Sequence, residues 1–180
     1  MLPEFDLLKP ATLDEALALL ARYGEDARPI AGGTNVLVEL RRHYAGPPLL
    51  IDIGRLPELR GVGLARDGAH VSVGACVTIA ELLADPLVAE HGAPLRQAAT
   101  EFASPLVRNR ATVGGNLVDA SPAADTAPPL LALGAEVELA SSQGTRCVPL
   151  DQFFTGVRKT VRRPDELLTR VFWPVAEGRA

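Results

Sequence analysis

Apolar positions follow two different rhythms along this chain. Leu13, Ala16, Leu17 and Leu20 recur at three- and four-residue spacing, which places them on one face of a helix. Thr12 and Glu15 form a capping box ahead of them and Gly24 stops the pattern, so the first predicted element is a helix over about residues 12–23. ARPIAGG then predicts a short buried strand that runs into a glycine turn. Asn35 is placed to cap a second helix, NVLVELRRH, with Val36, Leu37 and Leu40 on one face and Arg41 and Arg42 in the last turn. LLIDI, residues 49–53, is a continuous apolar run of the kind found in buried strands. Helix, strand, helix and strand together predict a small α/β lobe with parallel strands.

From Gly61 the rhythm becomes two-residue alternation. GVGLA, the Arg66-Asp67-Gly68 turn and AHVSVGA predict a β-hairpin that opens a second lobe. Thr78 and Glu81 form another capping box, for a helix through about Ala84, which Asp85-Pro86 interrupts; a further helical pattern covers about Pro94 to Phe102. From Ser104 to about Ala124 the chain, SPLVRNRATVGGNLVDASPAA, keeps neither rhythm. Irregular segments of that length inside a domain are usually functional or disordered, and the Val, Leu and Ala content here argues against disorder. Asp125 is placed as an N-cap, with Pro128 and Pro129 in the first turn and Gly134 at the end. AEVELA, an SQG turn and TRCVPL predict a second hairpin, Phe153 and Phe154 fall on a short connection, and LLTRVFWP predicts a final strand. There is no internal repeat. The expected class is α+β in two lobes, about 1–56 and about 57–175.

Composition narrows the functions open to such a chain. Its 180 residues, 47% hydrophobic and 22% charged, describe an ordinary globular protein and exclude collagenous, disordered and coiled-coil classes. The net charge is −4 and the densest basic feature is the Arg162, Arg163 pair, so the electrostatic footprint of a nucleic-acid binder is missing. Cys76 and Cys147 are far apart and outside any C-x-x-C pair, so this chain alone builds neither a zinc site nor an iron–sulfur cluster; both are expected as lone buried thiols. Glu4 and Asp6 stand where a signal peptide would be basic, and no apolar run reaches the ~18 residues of a membrane span. A cytoplasmic protein without a membrane span is expected. His43, His70 and His91 are isolated and read as surface or hairpin residues.

Glycine and proline are over-represented, at 31 of 180 residues. Two glycine pairs stand out, Gly32-Gly33 followed by Thr34 and Asn35, and Gly114-Gly115 followed by Asn116. Each follows an apolar stretch and offers successive backbone N–H groups uncovered by side chains, the arrangement that forms a concave anion site. Two such loops from different lobes suit a pyrophosphate, with Thr34, Asn35, Thr112 and Asn116 as added polar partners. A lone Gly-Gly pair is also ordinary turn composition, and neither loop is a G-x-G-x-x-G or G-x-x-x-x-G-K-[ST] motif. The residues by themselves point to a nucleotide or dinucleotide diphosphate held between lobes.

ARPIAGGTNVLVEL, SPLVRNRATVGGNLVDASPAADTAPPLLALGAEVEL and FFTGVRKTVRRPDELLTRVFWP carry a resemblance that runs from about Phe5 to Pro174. Together they resemble the FAD-binding subunit or domain of the molybdenum hydroxylase family, which includes xanthine dehydrogenase and aerobic carbon monoxide dehydrogenase. The resemblance implies the two-lobed FAD-binding fold of the vanillyl-alcohol oxidase (PCMH) type, with a small α/β lobe, a larger mixed lobe with antiparallel hairpins, and non-covalent FAD between them. It implies that Pro29, Ile30, Ala31, Gly32, Gly33, Thr34, Asn35 and Val36 wrap the FAD diphosphate, with backbone donors from Ala31 to Asn35. Thr112, Val113, Gly114, Gly115 and Asn116 would close on the diphosphate and ribityl region from the other lobe. Asp125 matches an acid that contacts the adenosine half, a role compatible with capping. Phe102 matches an aromatic beside the cofactor and Leu168 an apolar position against flavin or adenine, each with plain core packing as its other reading. Ser121 either bonds the cofactor or makes an ST-turn.

The implied activity is that of an oxidoreductase component. A molybdopterin-binding large subunit oxidises the substrate, an iron–sulfur small subunit with 2Fe-2S clusters relays electrons, and FAD passes them to NAD, a quinone or oxygen. No catalytic acid or base is expected on this chain, because the chemistry belongs to the flavin. Neither glycine loop holds a histidine or cysteine, so no covalent flavin link is expected. The family's flavin subunits usually continue into a C-terminal domain, whose absence is expected here because the chain stops at Ala180. The cysteine-bound cluster insertion of the 4-hydroxybenzoyl-CoA reductases is missing, and Asn35 stands where many members carry aspartate. Two other readings stand beside this one. One is a stand-alone flavin reductase like UDP-N-acetylenolpyruvoylglucosamine reductase, for which a proton donor and a substrate-closing domain are lacking. The other is a flavin-free scaffold that keeps the fold to assemble a hydroxylase.

Overall fold

A computed structural model describes residues 4–43 and 49–176. A three-residue strand, β1 (Asp6–Leu8), precedes the predicted first helix. It carries no readable alternation and exists because it pairs with β3. Thr12 caps α1 (Leu13–Tyr23) by accepting from the Glu15 amide at 3.2 Å. The return arm of the box goes one residue further back, with Glu15 Oε2 accepting from Ala11 N at 2.7 Å. Ala16, Leu17 and Leu20 form the buried face. β2 (Ala27–Ile30), α2 (Val36–His43) and β3 (Leu49–Asp52) follow, and the sheet order is β1-β3-β2 with both pairings parallel; the β2–β3 pairing is the one the apolar runs predicted.

The second unit opens on the predicted hairpin, β4 (Val62–Leu64) and β5 (His70–Gly74). α3 (Ile79–Ala84) carries a complete capping box between Thr78 and Glu81. Asp85-Pro86 does more than interrupt it: Asp85 Oδ1 accepts from Leu87 N and Val88 N with Pro86 at the first helical position, so the pair starts α4 (Pro86–His91). α5 (Ala93–Glu101) is the expected next helix.

The segment read as irregular holds two short helices, α6 (Pro105–Arg108), capped by Ser104, and α7 (Val113–Asp119), capped by Thr112. Neither is long enough to show a helical period. α8 (Ala127–Ala132) starts later than predicted. Thr126, not Asp125, occupies the cap position, without a side-chain cap bond, and Asp125 is exposed.

β6 (Glu136–Ser141) and β7 (Gly144–Pro149) form the second predicted hairpin. A short α9 (Leu150–Phe153) and a two-stranded ribbon, β8 (Phe154–Gly156) with β9 (Lys159–Thr160), connect it to β10 (Leu167–Pro174). The last strand lies at the centre of an antiparallel sheet ordered β4-β5-β10-β6-β7. Cys76 is buried as expected, but Cys147 is exposed, because it lies on β7, an edge strand of that sheet whose residues from Gly144 to Cys147 are exposed.

The main core packs α3, α5, α7 and α8 against β5, β10 and β6, with Trp173 and Phe153 fully buried. A second cluster joins α1 and β3 to Leu59, Cys76, Ala140 and Leu167, so the two sheets share an apolar seam. Each fully buried leucine or isoleucine there contributes about 1.5–3 kcal/mol. Two histidines are structural: His70 pairs with Asp67 in the hairpin turn, and the His91 carbonyl accepts from Trp173 Nε1 while its Nδ1 accepts from Ala176 N. The side chain of His43 lies outside the described residues.

Candidate functional site

A cleft of about 420 Å³ opens where the two sheets meet. One wall begins where β2 ends. The Ile30 carbonyl accepts the last rung of the parallel ladder from Ile53 N at 2.9 Å, and the chain then turns through Ala31–Asn35 into α2. Gly33 makes that turn at φ +75°, a conformation open to glycine at no steric cost. The carbonyls of Gly33 and Asn35 accept the first helical bonds, from Leu37 N and Glu39 N. Among the described residues, none of the N–H groups from Ala31 to Asn35 donates to a protein acceptor. Unpaired backbone donors need a partner, and successive free N–H groups beside a cleft are the kind of backbone that can hold an anion. Pro29, Ala31, Gly32, Gly33, Thr34, Asn35 and Val36 all line the cleft. Ile30 does not line it: an added Cβ on Gly33 would meet Ile30 Cδ1 at 3.4 Å, so this side chain turns under the loop.

The opposite wall is α7, which differs from the open glycine loop expected there. Thr112 to Asn116 is a capped helix start, not an open loop. Val113 N donates to Val77 O at 3.0 Å, Gly114 N to Ala75 O at 2.9 Å, Gly115 N to Thr112 Oγ1 at 3.2 Å and Asn116 N to Thr112 O at 3.0 Å. The backbone donors of Val113, Gly114, Gly115 and Asn116 are thus all taken within the protein. Thr112, Gly114, Gly115 and Asn116 still line the cleft, whereas Val113 is fully buried in the core. Gly114 is needed for packing, because an added Cβ would lie 2.6 Å from Ala75 Cβ. Gly32 has the same role between the walls: its added Cβ would lie 1.8 Å from Arg110 O.

Phe102 and Leu168 belong both to the cleft lining and to the core, so their two readings coexist. Ile53 and Cys76 extend the apolar floor, and burial pushes the Cys76 thiol up to about 12. Ser121 Oγ accepts from Ala123 N at 3.2 Å, the ST-turn, and also faces the cleft. Asp125 lines the cleft from an exposed position.

Three arginines of the lining were not anticipated. Arg162 donates to the carbonyls of Arg163 at 2.9 Å and Glu166 at 2.7 Å. Desolvation lowers its pKa, partly opposed by nearby Glu166, so an anion in the cleft would be favoured beside it. Arg28 and Arg158 both pair with Glu39 of α2, and Arg158 also reaches Asp119 of α7 at 3.0 Å. Arg158 thereby joins the two walls of the cleft. It sits at the tip of the β8-β9 ribbon at φ +55°, its N–H donating to Ala120 O at 2.9 Å. Burial alone would raise the Glu39 pKa, but the two guanidinium groups hold it below the usual carboxylate value. Apart from positions inside ARPIAGGTNVLVEL for Arg28 and FFTGVRKTVRRPDELLTRVFWP for Arg158 and Arg162, no local pattern marks these residues. Among the described residues no group of three or more His, Cys, Asp or Glu side chains is gathered as a metal site.

The family described as the FAD binding domain in molybdopterin dehydrogenase matches residues 3–176. The chain belongs to this family. The putative xanthine dehydrogenase FAD-binding subunit of Escherichia coli (strain K12) is 40% identical to this FAD-binding domain over 166 residues, which is 92% of this chain and 56% of that protein. The carbon monoxide dehydrogenase medium chain of Hydrogenophaga pseudoflava is 36% identical over 177 residues, 98% of this chain and 61% of that one. A solved carbon monoxide dehydrogenase from Hydrogenophaga pseudoflava superposes with a TM-score of 0.95 at 35% identity, covering 99% of this chain and 61% of that chain. The chain thus spans about three fifths of the length of these relatives. The expected α+β, PCMH-type architecture is the one found.

The cleft fits the family's cofactor. A diphosphate matches the five unpaired donors and the desolvated Arg162, and planar rings match the apolar surfaces of Phe102, Ile53 and Leu168. Among the described residues no helix is long and apolar enough to cross a membrane.

Proposed function

We propose that this chain binds FAD non-covalently in the cleft and is the flavin-bearing electron-transfer part of a molybdopterin-dependent dehydrogenase or hydroxylase. The observation that carries this reading is the run of unpartnered N–H groups from Ala31 to Asn35, aligned along a cleft in a chain of this family. Bound FAD supplies the electron exchange between a one-electron relay and a final acceptor. The protein's own residues bind, orient and exclude water. Ala31–Asn35 hold the diphosphate, Arg162 offsets its charge, and Phe102, Ile53 and Leu168 shield the rings. Arg158 ties α2 to α7 across the opening. The lobes divide between residues 54 and 61, as about 1–56 and 57–175, with the cofactor between them.

Relatives named as subunits and medium chains support partner polypeptides here too, a molybdopterin-binding large subunit and an iron–sulfur small subunit with 2Fe-2S clusters. NAD, a quinone or oxygen then serves as acceptor. The test is titration of the purified chain with FAD, followed by flavin fluorescence and absorbance. One FAD per chain is expected; a protein that stays colourless after incubation with FAD overturns the reading. Co-purification with a molybdopterin-containing subunit is the expected result for the assembly.

A further inference from the structure

We propose that Thr126 is a positioning residue for cofactor binding, holding the Asn116 carboxamide with its NH2 group turned into the cleft. Thr126 is fully buried, although it is a polar residue beside an exposed segment. It caps nothing with its side chain. Instead its N–H, at 3.3 Å, and its hydroxyl, at 2.5 Å, both meet the same atom, Asn116 Oδ1. A backbone N–H can only donate, so the atom it faces must be the amide oxygen; this fixes the carboxamide orientation without reference to any ligand. The Nδ2 group, with two donors, therefore takes the other branch.

Asn116 is half-buried and lines the cleft. The consequence for binding follows from the state of the α7 wall. Its backbone donors from Val113 to Asn116 are already taken, so the carboxamide NH2 is the donor that this stretch still offers. Thr126 thus makes Asn116 a donor toward the cleft rather than an acceptor, which suits phosphate, ribityl or ring oxygens of FAD. An Asn free to flip would present its oxygen to them part of the time.

This inference rests on FAD binding by the chain, and the test keeps the two apart. FAD affinity is measured by fluorescence titration for wild type, Thr126→Val, Thr126→Ser, Asn116→Ala and the Thr126→Val/Asn116→Ala double variant. Loss of an orienting hydrogen bond predicts about fivefold to tenfold weaker binding in Thr126→Val, with recovery in Thr126→Ser. In the Asn116→Ala background, Thr126→Val is expected to add less than about twofold, because a positioning residue has nothing left to position. Equal losses in both backgrounds would assign Thr126 a purely structural role and overturn the proposal. Should Thr126→Val not fold, side-chain amide NMR of the wild type decides: the Asn116 NH2 resonances are expected to shift on FAD saturation, and unchanged resonances overturn the assignment. A wild type that binds no FAD overturns the function proposed above instead.

Discussion

Replacing Gly32 with alanine tests what sets the width of the cleft. The added Cβ would stand 1.8 Å from the Arg110 carbonyl oxygen and 2.6 Å from its carbon. Both obstacles are backbone, so no side chain can rotate away. Reaching even 3.0 Å requires the two segments to part by about 1.2 Å along that contact, since the present separation is 1.8 Å. Overpacking in a dense interior costs about 1–3 kcal/mol, and a backbone-on-backbone clash belongs at the upper end. For a chain of this size about 3 kcal/mol corresponds to a thermal midpoint lower by roughly 6–12 °C.

Gly33→Ala is the control. Its Cβ meets only Ile30 Cδ1 and the Leu37 side chain, at 3.4 Å and beyond, so its penalty is the roughly 1–2 kcal/mol of a left-handed backbone at φ +75°. The assay is thermal unfolding of both variants without FAD, followed by FAD titration. Gly32→Ala is expected to unfold earlier than Gly33→Ala and to bind FAD more weakly, because the donors of Ala31–Asn35 move away from the opposite wall. A Gly32→Ala midpoint within about 2 °C of wild type would refute the packing argument.

Asp125→Ala is expected to leave stability within about 0.5 kcal/mol of wild type, since Asp125 is exposed and caps nothing, while FAD release quickens; unchanged release removes the adenosine contact that the resemblance implies. Arg158→Ala cuts the link from Glu39 to Asp119 and is expected to speed FAD release severalfold at low ionic strength and less at high salt; salt-independent release in wild type and variant alike would argue against the link. Glu39, Glu81 and Glu166 titrate below the ordinary glutamate value: burial pushes each upward, and arginine neighbours, with backbone donors for Glu81 and Glu166, outweigh it. In that pH range the unfolded chain binds more protons than the folded one, so this stability is present above the ordinary glutamate pKa and is lost as pH falls through the lowered folded values. Unfolding midpoints across acid pH should therefore drop, and drop less steeply in Glu166→Gln; an identical profile would contradict the assignment.

The elements that could be read from the sequence carry their information locally. α1 and α3 announce themselves by Thr12 with Glu15 and Thr78 with Glu81, and the hairpins by alternation around a turn. β1 could not be read, because three residues show no period and its partner β3 lies far along the chain. The two glycine pairs look alike in sequence but differ in the structure for a tertiary reason. The Ala31–Asn35 donors meet no protein acceptor among the described residues, whereas those of Val113 and Gly114 are taken by the carbonyls of Val77 and Ala75. No local pattern distinguishes an occupied donor from a vacant one. Arg158 was hidden for a similar reason: its partner Glu39 is 119 residues away, and at a ribbon tip an arginine reads as ordinary surface charge.

In the proposed function the first glycine segment grips FAD with its backbone while the second shapes the wall. Residue-resolved amide hydrogen exchange, with and without FAD, tests it most directly. Ala31–Asn35 are expected to exchange rapidly in the free protein and to become protected on FAD addition, while Val113–Asn116 are expected to be protected already and to change little. Protection appearing at Val113–Asn116, with Ala31–Asn35 unaffected, would contradict it.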